Sequence, residues 1–374
     1  MGELKVPFLD LADSYRELQV ELECAVLQSL RSGRYIGGDD VTGFEADFSA
    51  YTHTAHCVGV ANGLDALRLA LRAMGVGPGD EVIVPSNTFI ATWLAVSECG
   101  AVPVPVEPDV KTCNIDCSGL LAAITSRSKV IIPVHLYGQP ADLDSLLEIA
   151  KQHGLLVLED AAQAHGAYYK GRPIGGHANA VAWSFYPGKN LGALGDAGAV
   201  TTQDAVLADK IRMLRNYGSP KRYVNTVLGY NSRLDPVQAA ALRVKLHYLD
   251  DWNKRREHIA ATYNESFENC GLTLPWVPVW ARSSWHLYCV RYFQRDALRE
   301  KLTDAGVETL VHYPIPPHLQ SAYACLGYAK GDLPVAENMA NTMLSLPIGP
   351  TMTEEQISWV VASVKQACSD LSNK

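Results

Sequence analysis

A lysine and an aspartate that each follow an apolar run carry the clearest chemical signal in this sequence. Lys189 lies in a Gly/Pro turn directly after the run 180–186, and Asp160 closes the run 155–159. A lysine amine forms a Schiff base with an aldehyde, and a carboxylate beside a pyridine nitrogen keeps that nitrogen protonated, so that the ring accepts electrons. Pyridoxal phosphate needs both residue types. A lone loop lysine is usually solvated, so the prediction of this cofactor depends on the residues that accompany the pair.

Other residues suited to a phosphate and a flat ring follow other apolar runs. Asn62-Gly63 stands before a helical stretch, whose first N–H groups can bind phosphate, although the dipeptide alone also fits a plain turn. Phe89 follows the second run and can stack on a ring, although an isolated Phe also fits the core. Gln163 and Ser184 each follow a run as well. Because these residues occur together and each follows an apolar run, they predict one cofactor site and not several separate structural roles.

Seven short apolar runs, alternating with amphipathic stretches, must position these residues. The runs are 57–60, 81–84, 102–106, 130–134, 155–159, 181–186 and 199–202. This alternation predicts an α/β fold, with a mainly parallel seven-stranded sheet and helices on both faces. Because loops with little helix join the last two runs, we expect one of them to run antiparallel. Ligands collect at the carboxyl ends of parallel strands, which is where the candidate residues fall.

The last third of the chain predicts a long helix followed by a mixed region. Asp235-Pro236 is a typical helix start, with Asp235 as N-cap and Pro236 in the first turn, and the helical pattern runs toward residue 269. Residues 285–288 are expected to form a strand. We therefore expect a large cofactor-binding domain over residues 1–249 and a smaller α+β domain over residues 250–374.

Composition and charge limit the classes of protein to which the chain can belong. Its 374 residues fit two domains, and 48% hydrophobic with 19% charged residues is typical of a folded soluble protein. A net charge of −8 argues against nucleic-acid binding. The first residues lack the apolar segment of a signal peptide, and no run reaches membrane-spanning length, so we expect a cytoplasmic protein. Nine dispersed cysteines without a CxxC pair predict reduced thiols and no metal site.

Nearly the whole chain resembles the DegT/DnrJ/EryC1/StrS family of sugar aminotransferases, which are fold type I pyridoxal phosphate enzymes. The most specific matching segments are 159–166, 184–190, 195–199 and 231–235. The resemblance implies that Lys189 is the catalytic lysine and that Asp160 pairs with the pyridine nitrogen. It also implies that Gln163 contacts the ring hydroxyl and that Phe89 stacks on the ring.

The resemblance further implies a phosphate site and a dimer. Gly63, Leu64 and Ser184 would hold the phosphate, and Asn231 of the neighbouring subunit would complete the site, so that a homodimer shares its active sites. The chain departs from the family at Asn62, where Ser or Thr is frequent, so the backbone and not this side chain is expected to contact the phosphate. A second departure, Ala197 in place of a frequent glycine, is conservative.

The resemblance also indicates the reaction. Related dehydratases carry histidine in place of the lysine, so Lys189 favours transfer of an amino group from L-glutamate to a nucleotide-linked ketosugar. Segments 218–223 and 312–318 look most like the branch that aminates carbon 3 of a dTDP-3-keto-6-deoxyhexose, for deoxyaminosugars of O-antigen, S-layer or antibiotic glycans. Lys221 and Arg222 would suit the diphosphate, or they are a solvated charge pair.

Sugar hydroxyls would meet Tyr186, His312 and Tyr313, although His312 alone also fits a structural role. The first alternative reaction is amination of carbon 4 of a dTDP- or UDP-4-keto-6-deoxyhexose. A nicotinamide oxidoreductase lacks support, because no GxGxxG opens the first helix. A non-catalytic pyridoxal-binding sensor would usually carry a DNA-binding module, and the chain has no spare basic segment for one.

Overall fold

A seven-stranded sheet forms the centre of the molecule in the computed structural model, which describes residues 4–372. The strands are β1 (His56–Val60), β2 (Glu81–Pro85), β3 (Val102–Val106), β4 (Ser128–Ile131), β5 (Leu156–Asp160), β6 (Tyr168–Tyr169), β7 (Arg172–Pro173), β8 (Ala180–Ser184), β9 (Gly198–Thr202), β10 (Ala281–Arg282), β11 (Tyr288–Arg291) and β12 (Met343–Leu346). The order in the large sheet is β1-β9-β8-β5-β4-β2-β3. Each of the seven apolar runs contributes one of its strands.

Strand β9 is the antiparallel member of this sheet. It pairs antiparallel with both β1 and β8, whereas the pairs β2–β3, β2–β4, β4–β5 and β5–β8 are parallel. The segment between β8 and β9 contains no helix, and a chain that turns back without a crossover must pair antiparallel. The predicted α/β fold with a mainly parallel sheet is confirmed.

Helices cover the sheet and build the rest of the chain. They are α1 (Leu11–Glu17), α2 (Gln19–Arg31), α3 (Asp39–Tyr51), α4 (Gly63–Ala73), α5 (Ile90–Glu98), α6 (Cys117–Ala123), α7 (Leu143–His153), α8 (Ala205–Leu214), α9 (Pro236–Leu246), α10 (Leu249–Phe267), α11 (Arg295–Asp304), α12 (Pro334–Thr342) and α13 (Glu354–Ser372). Short 3₁₀ turns lie at Leu136–Gly138, Pro317–Leu319 and Ser321–Leu326. No helix within residues 4–372 is long and apolar enough to cross a membrane.

Helix α4 shows how the sequence sets this layer. Its apolar residues recur at helical spacing, so Leu67 and Leu71 are both buried in the core that lies between α4 and the sheet. Asn62 caps the helix, because its Oδ1 accepts a hydrogen bond from the Asp65 N–H at 2.8 Å. The cap fixes the start of α4 at the carboxyl end of β1.

Two expectations for the last third of the chain were wrong. The long helix is broken into α9 and α10, because the N–H groups of His247 and Tyr248 bond three residues back, to Val244 and Lys245, and tighten the chain into a turn. The expected strand at 285–288 begins only at Tyr288, since Trp285 has a left-handed φ of 49°, which a strand does not contain. Asp235 precedes α9 as predicted, but its side chain makes no capping bond.

A separate cluster of buried side chains lies in the C-terminal part of the chain. It joins residues of α10, α11, α13, β11 and β12, and Val6 packs into it from the N-terminal segment, which pairs with Val307. We propose that this cluster is the core of a small domain that divides from the large one near residue 249. The N-terminal segment thereby contributes to the C-terminal core.

Candidate active site

A cavity of about 660 Å³ opens at the carboxyl end of the large sheet. Most of the residues predicted to form the site line it: Gly63, Leu64, Phe89, Asp160, Gln163, Ser184, Tyr186, Lys189, His312 and Tyr313. The cavity is also lined by residues of the N-terminal segment and of the C-terminal core, including Phe8 and Ile348. Residues far apart in the chain therefore meet around one volume.

Asp160 ends β5 and is buried in the wall of this cavity. Its Oδ2 accepts a hydrogen bond from the Thr92 hydroxyl at 2.9 Å, and its Oδ1 accepts one from the Ala162 N–H at 3.1 Å. Burial raises the pKa of the Asp160 carboxyl, while these two hydrogen bonds and the Lys189 charge act in the opposite direction. A cationic ring nitrogen placed beside Asp160 would favour the ionised carboxylate in the same way as Lys189.

Lys189 faces the same cavity from the turn after β8. Burial lowers the pKa of its amine to about 8, and the Asp160 carboxylate opposes this shift. The turn is held by hydrogen bonds from the Lys189 N–H to the Tyr186 carbonyl and from the Ala193 N–H to the Phe185 carbonyl, each 2.8 Å long. Gly192 is required in this loop, because a Cβ there would lie 2.2 Å from the Pro187 carbonyl oxygen. The sequence thus fixes the lysine in a defined position.

Gln163 presents its amide group to the cavity in one orientation. Its Oε1 accepts a hydrogen bond from the Tyr137 N–H at 2.6 Å, and its Nε2 donates to the Tyr313 hydroxyl at 3.0 Å. Tyr137 has a left-handed φ of 62°, and its hydroxyl donates to the His312 carbonyl at 2.6 Å. These contacts use one of the two N–H groups of Nε2, so the other can donate to a ring hydroxyl oxygen.

The start of α4 forms a cradle for an anion. The N–H groups of Gly63 and Leu64 make no hydrogen bond within residues 4–372, and both residues line the cavity. A Cβ added at Gly63 would lie 2.5 Å from the Ser184 Cβ, so only glycine lets these two walls approach. Free N–H groups at a helix start, beside a serine hydroxyl, are suited to phosphate. Asn62 uses its side chain to cap α4, so the backbone supplies the cradle.

Aromatic side chains line the open side of the cavity. Phe89 is 50% exposed, and its ring centroid lies 5.1 Å from that of Tyr313. Tyr186 is 59% exposed at the same opening. An exposed aromatic at the mouth of a cavity is available to stack on a flat ligand, so the structure does not use Phe89 as a core residue.

His312 is a neutral hydrogen-bonding group at this wall. Its Nδ1 lies 2.8 Å from the Ser345 hydroxyl. Burial, and then the Lys189 charge, lowers the pKa of the His312 imidazole to about 4. The residue has a structural contact and still lines the cavity, so the structural and ligand-binding roles expected for it are compatible.

Three predicted site residues do not line the cavity of their own chain. Lys221 and Arg222 are exposed in the loop after α8, where the Arg222 guanidinium lies 5.0 Å from the Tyr223 ring centroid. Asn231 is also exposed, and its Oδ1 accepts a hydrogen bond from Arg233 at 2.7 Å. Contact with a ligand would therefore require either a partner chain or movement of the loop.

Several residues that line the cavity were missed by sequence reasoning. Thr92 lies three residues after Phe89 on α5, a helical spacing that would have indicated the same face. His286 lies in the segment expected to form a strand, yet its Nδ1 lies 3.1 Å from the Asn190 Oδ1, beside the turn that carries Lys189. Phe8 and Arg256 gave no local signal, because only packing of distant segments brings them to the site.

These residues fit pyridoxal phosphate, since a lysine amine, a buried carboxylate, an amide N–H and the free N–H groups of a helix start surround one cavity. The fold and the site together define a pyridoxal-phosphate-dependent aminotransferase, and the chain is an enzyme of this class. It belongs to the DegT/DnrJ/EryC1/StrS aminotransferase family, whose match covers residues 17–365.

Proteins similar to this chain cover almost its full length. A Saccharopolyspora erythraea protein, named erythromycin biosynthesis sensory transduction protein EryC1, is 55% identical over 97% of this chain and 99% of its own. A Streptomyces venezuelae dTDP-3-amino-3,4,6-trideoxy-alpha-D-glucose transaminase is 52% identical, with coverage of 97% and 96%. An Aneurinibacillus thermoaerophilus dTDP-3-amino-3,6-dideoxy-alpha-D-galactopyranose transaminase is 50% identical, with coverage of 96% and 99%.

Solved structures agree with this assignment. The crystal structure of S. venezuelae DesV in complex with a ketimine intermediate has a TM-score of 0.96 and 52% identity, and the match covers 97% of this chain and 98% of that one. Other similar structures contain the cofactor as pyridoxamine phosphate or are in the pyridoxal phosphate form.

Proposed function

We propose that the enzyme transfers the amino group of L-glutamate to carbon 3 of a dTDP-linked 3-keto-6-deoxyhexose. The observation that carries this proposal is the pair of relatives at 52% and 50% identity, whose names both place the amino group at carbon 3. The same names differ at carbon 4, where one sugar is deoxygenated, so carbon 3 is the common feature. The product would enter the synthesis of a deoxyaminosugar for a cell-surface or antibiotic glycan.

Lys189 is the group that we expect to move the proton at the reacting carbon. Pyridoxal phosphate, when bound, supplies the electron sink that makes this carbon acidic. With a pKa of about 8, about a quarter of Lys189 is neutral at pH ~7.5, compared with about one in a thousand for an ordinary lysine. A neutral amine can accept a proton and return it, so burial of Lys189 prepares it for both roles.

The other cofactor contacts follow from the positions of the side chains. Asp160 holds negative charge where a protonated ring nitrogen would lie, and Gln163 Nε2 would donate to the ring oxygen. The N–H groups of Gly63 and Leu64, with the Ser184 hydroxyl, would hold the phosphate, and Phe89 would cover the ring. Each of these roles is supported by the geometry of the cavity wall.

We also propose a homodimer in which Asn231 of each chain completes the phosphate site of the other. Asn231 is exposed and does not line the cavity of its own chain. The same loop exposes large apolar side chains, with Tyr223 at 85% and Leu228 at 90% exposure. Exposed apolar clusters of this kind are typical of interfaces. In such a dimer, Lys221 and Arg222 of this loop would be available to the sugar diphosphate.

Tyr186, His312 and Tyr313 remain the proposed contacts to the sugar. Their hydroxyl and imidazole groups line the cavity, and the lowered pKa of His312 leaves its imidazole uncharged at neutral pH. We propose a cytoplasmic location as well, which the nine free cysteines support, because disulfides are rare in reducing compartments.

The test measures the two half-reactions separately, each by the change in the visible absorbance of the cofactor. L-Glutamate should bleach the violet-blue absorbance of the enzyme loaded with pyridoxal phosphate, and a dTDP-3-keto-6-deoxyhexose should restore it. A panel of dTDP- and UDP-linked 3-keto and 4-keto sugars then compares the two positions, with the product identified by mass spectrometry and NMR. Preference for a 4-ketosugar would assign the enzyme to carbon 4. A cofactor spectrum that no amino acid alters would favour the sensor function that the name of the 55% identical relative describes.

A further inference from the structure

His286 lines the cavity without a part in the proposed cofactor and sugar contacts. It lies in the segment before β11 and is partly exposed. Its Nδ1 lies 3.1 Å from the Asn190 Oδ1, whereas its Nε2 has no hydrogen-bond partner within residues 4–372. Both ring nitrogens of His165 are unpartnered and sealed from solvent, but in the described chain Nε2 of His286 is not sealed in this way. This nitrogen is therefore open to a ligand in the cavity.

The orientation of the Asn190 amide determines which nitrogen of His286 carries the proton. Asn190 Nδ2 lies 2.7 Å from the carbonyl oxygen of Ser284. A backbone carbonyl can only accept a hydrogen bond, so this atom of Asn190 must be the N–H donor and the other amide atom the oxygen. Because an amide oxygen only accepts, Nδ1 of His286 must donate to it. The neutral imidazole then carries its proton on Nδ1 and presents a lone pair at Nε2.

The next residue of this hydrogen-bond network leads to the same assignment. Asn253 Nδ2 donates to the carbonyl of His165 at 2.9 Å, and its Oδ1 accepts from the Asn190 Nδ2 at 2.8 Å. Asn190 and Asn253 are only 4% and 8% exposed, so water does not compete for these bonds. The bonds run in one direction, from His286 to the His165 carbonyl. Reversal of one of them would set two donors or two acceptors against each other.

His286 is uncharged at neutral pH. Burial, followed by the positive charges of Lys189 and Arg256, holds the pKa of the His286 imidazole well below its usual range. Protonation of Nε2 is therefore unfavourable, and this nitrogen remains an acceptor. A neutral nitrogen acceptor binds a hydroxyl or an N–H group, and it does not bind the oxygens of a carboxylate or a phosphate.

Among the groups of the proposed substrates, the hexose hydroxyls match this acceptor. The two carboxylates of L-glutamate and the diphosphate of the nucleotide sugar present only acceptor oxygens at neutral pH. The α-amino group of L-glutamate is the group that reacts, so it is directed to the cofactor. A hydroxyl can donate as well as accept, and the hydroxyls of a ketosugar lie close to its reacting carbon.

We propose that His286 binds the ketosugar, with its Nε2 accepting a hydrogen bond from a hydroxyl of the hexose. The proposal rests on the proposed function, in which a ketosugar is the substrate that receives the amino group. A site that hydrogen-bonds a hydroxyl discriminates against the analogue without it, because the acceptor is then left unpaired. His286 therefore contributes to the choice among ketosugars that differ in their hydroxyls. Asn190 and Asn253 act through His286 as positioning residues, since they hold its ring and its proton.

Two substitutions of His286 separate contact with the sugar from support of the Lys189 turn. His286→Asn keeps an amide near the position of Nδ1, which can still donate to Asn190, but it has no atom at the position of Nε2. His286→Gln does the reverse, because its longer side chain can place an amide oxygen near the position of Nε2. We expect His286→Asn to lower kcat/KM for the ketosugar about tenfold with the pyridoxamine-phosphate form, and His286→Gln to retain most of it. The half-reaction with L-glutamate should change by less than about twofold in both variants.

A structural role predicts the opposite order, with His286→Asn close to the wild type and His286→Gln impaired in both half-reactions. That result, or equal damage to both half-reactions in His286→Asn, would overturn the proposal. If neither variant folds, the wild type is compared on the 2-deoxy and 4-deoxy analogues of the ketosugar, each of which lacks one hydroxyl. A kcat/KM about tenfold lower with either analogue supports the proposal and identifies the hydroxyl, whereas values equal to that of the parent sugar with both overturn it. A wild type that reacts with L-glutamate but with no ketosugar would instead contradict the proposed function.

Discussion

The depressed pKa of Lys189 predicts a stability difference that depends on pH. Replacement of Lys189 by Met removes the charge and keeps the length of the side chain. The pKa of this amine is about 8 in the folded chain, compared with 10.5 in an ordinary lysine. Between these values the unfolded chain binds the proton more tightly than the folded chain, so raising the pH through this window stabilises the wild type relative to the variant.

The magnitude follows from the same two values. With about 1.4 kcal/mol per pKa unit, the charged lysine should destabilise the cofactor-free wild type by about 3 kcal/mol at pH ~7.5 and by roughly half as much at pH ~9.5. Lys189→Met should therefore be the more stable protein at the lower pH, and its advantage should shrink by roughly half at the higher pH. The burial that lowers the stability of the folded chain at neutral pH also makes a neutral Lys189 amine available for catalysis.

The assay is urea unfolding of the two cofactor-free proteins at equal concentration and at both pH values. Lys245→Met is the control for the pH effect, because burial also lowers the pKa of the Lys245 amine to about 8; this amine does not line the cavity, but it donates to the Gly192 carbonyl of the Lys189 turn at 2.8 Å. The control should show a comparable pH effect but keep the visible absorbance with pyridoxal phosphate, which Lys189→Met should lose. A stability difference for Lys189→Met that is the same at both pH values would refute the reasoning about its burial.

Three further experiments test the other parts of the site. Asp160→Asn should lose most transamination activity, because an amide does not keep the ring nitrogen protonated; near wild-type rates would reduce Asp160 to a structural role. Gly63→Ala should weaken cofactor binding at least about tenfold in a fluorescence titration, since its Cβ meets Ser184, whereas Gly77→Ala, whose Cβ meets open space, should not; equal affinities would contradict the phosphate cradle. Asn231→Ala and Lys189→Ala should each be nearly inactive, and mixing their subunits should restore activity through one intact shared site, whereas no restoration after verified exchange would argue against sharing.

Much of the fold and of the cofactor wall could be predicted, because both depend on local patterns. Each buried strand of the large sheet is a short apolar run, and the residue that follows a parallel strand must lie at its carboxyl edge. Asp160 and Ser184 end their strands, so their chain position already implies their place in space. Lys189 follows in a turn that its glycines and proline make compact.

The remaining features depend on contacts between distant segments. No Gly or Pro marks the break between α9 and α10, and the left-handed Trp285 has no local sequence signal. Arg256 and His286 reach the cavity only because α10 and the segment before β11 pack in the C-terminal core. A sequence pattern within one segment cannot predict a contact between side chains of distant segments.

The cavity has two walls, one that faces the cofactor and one opposite it, and substitutions in the two walls have different effects. The cofactor wall is built from residues that directly follow strands of one sheet, so a substitution there alters cofactor binding itself. The opposite wall combines Phe8, Arg256, His286 and His312, which come from four distant segments held by the C-terminal core. A change in the packing of that core can shift these side chains relative to Lys189 while the hydrogen bonds of Asp160 stay intact. Of the proposed sugar contacts, His312 lies in this second wall and Tyr186 follows β8 in the first, so the sugar would contact both walls.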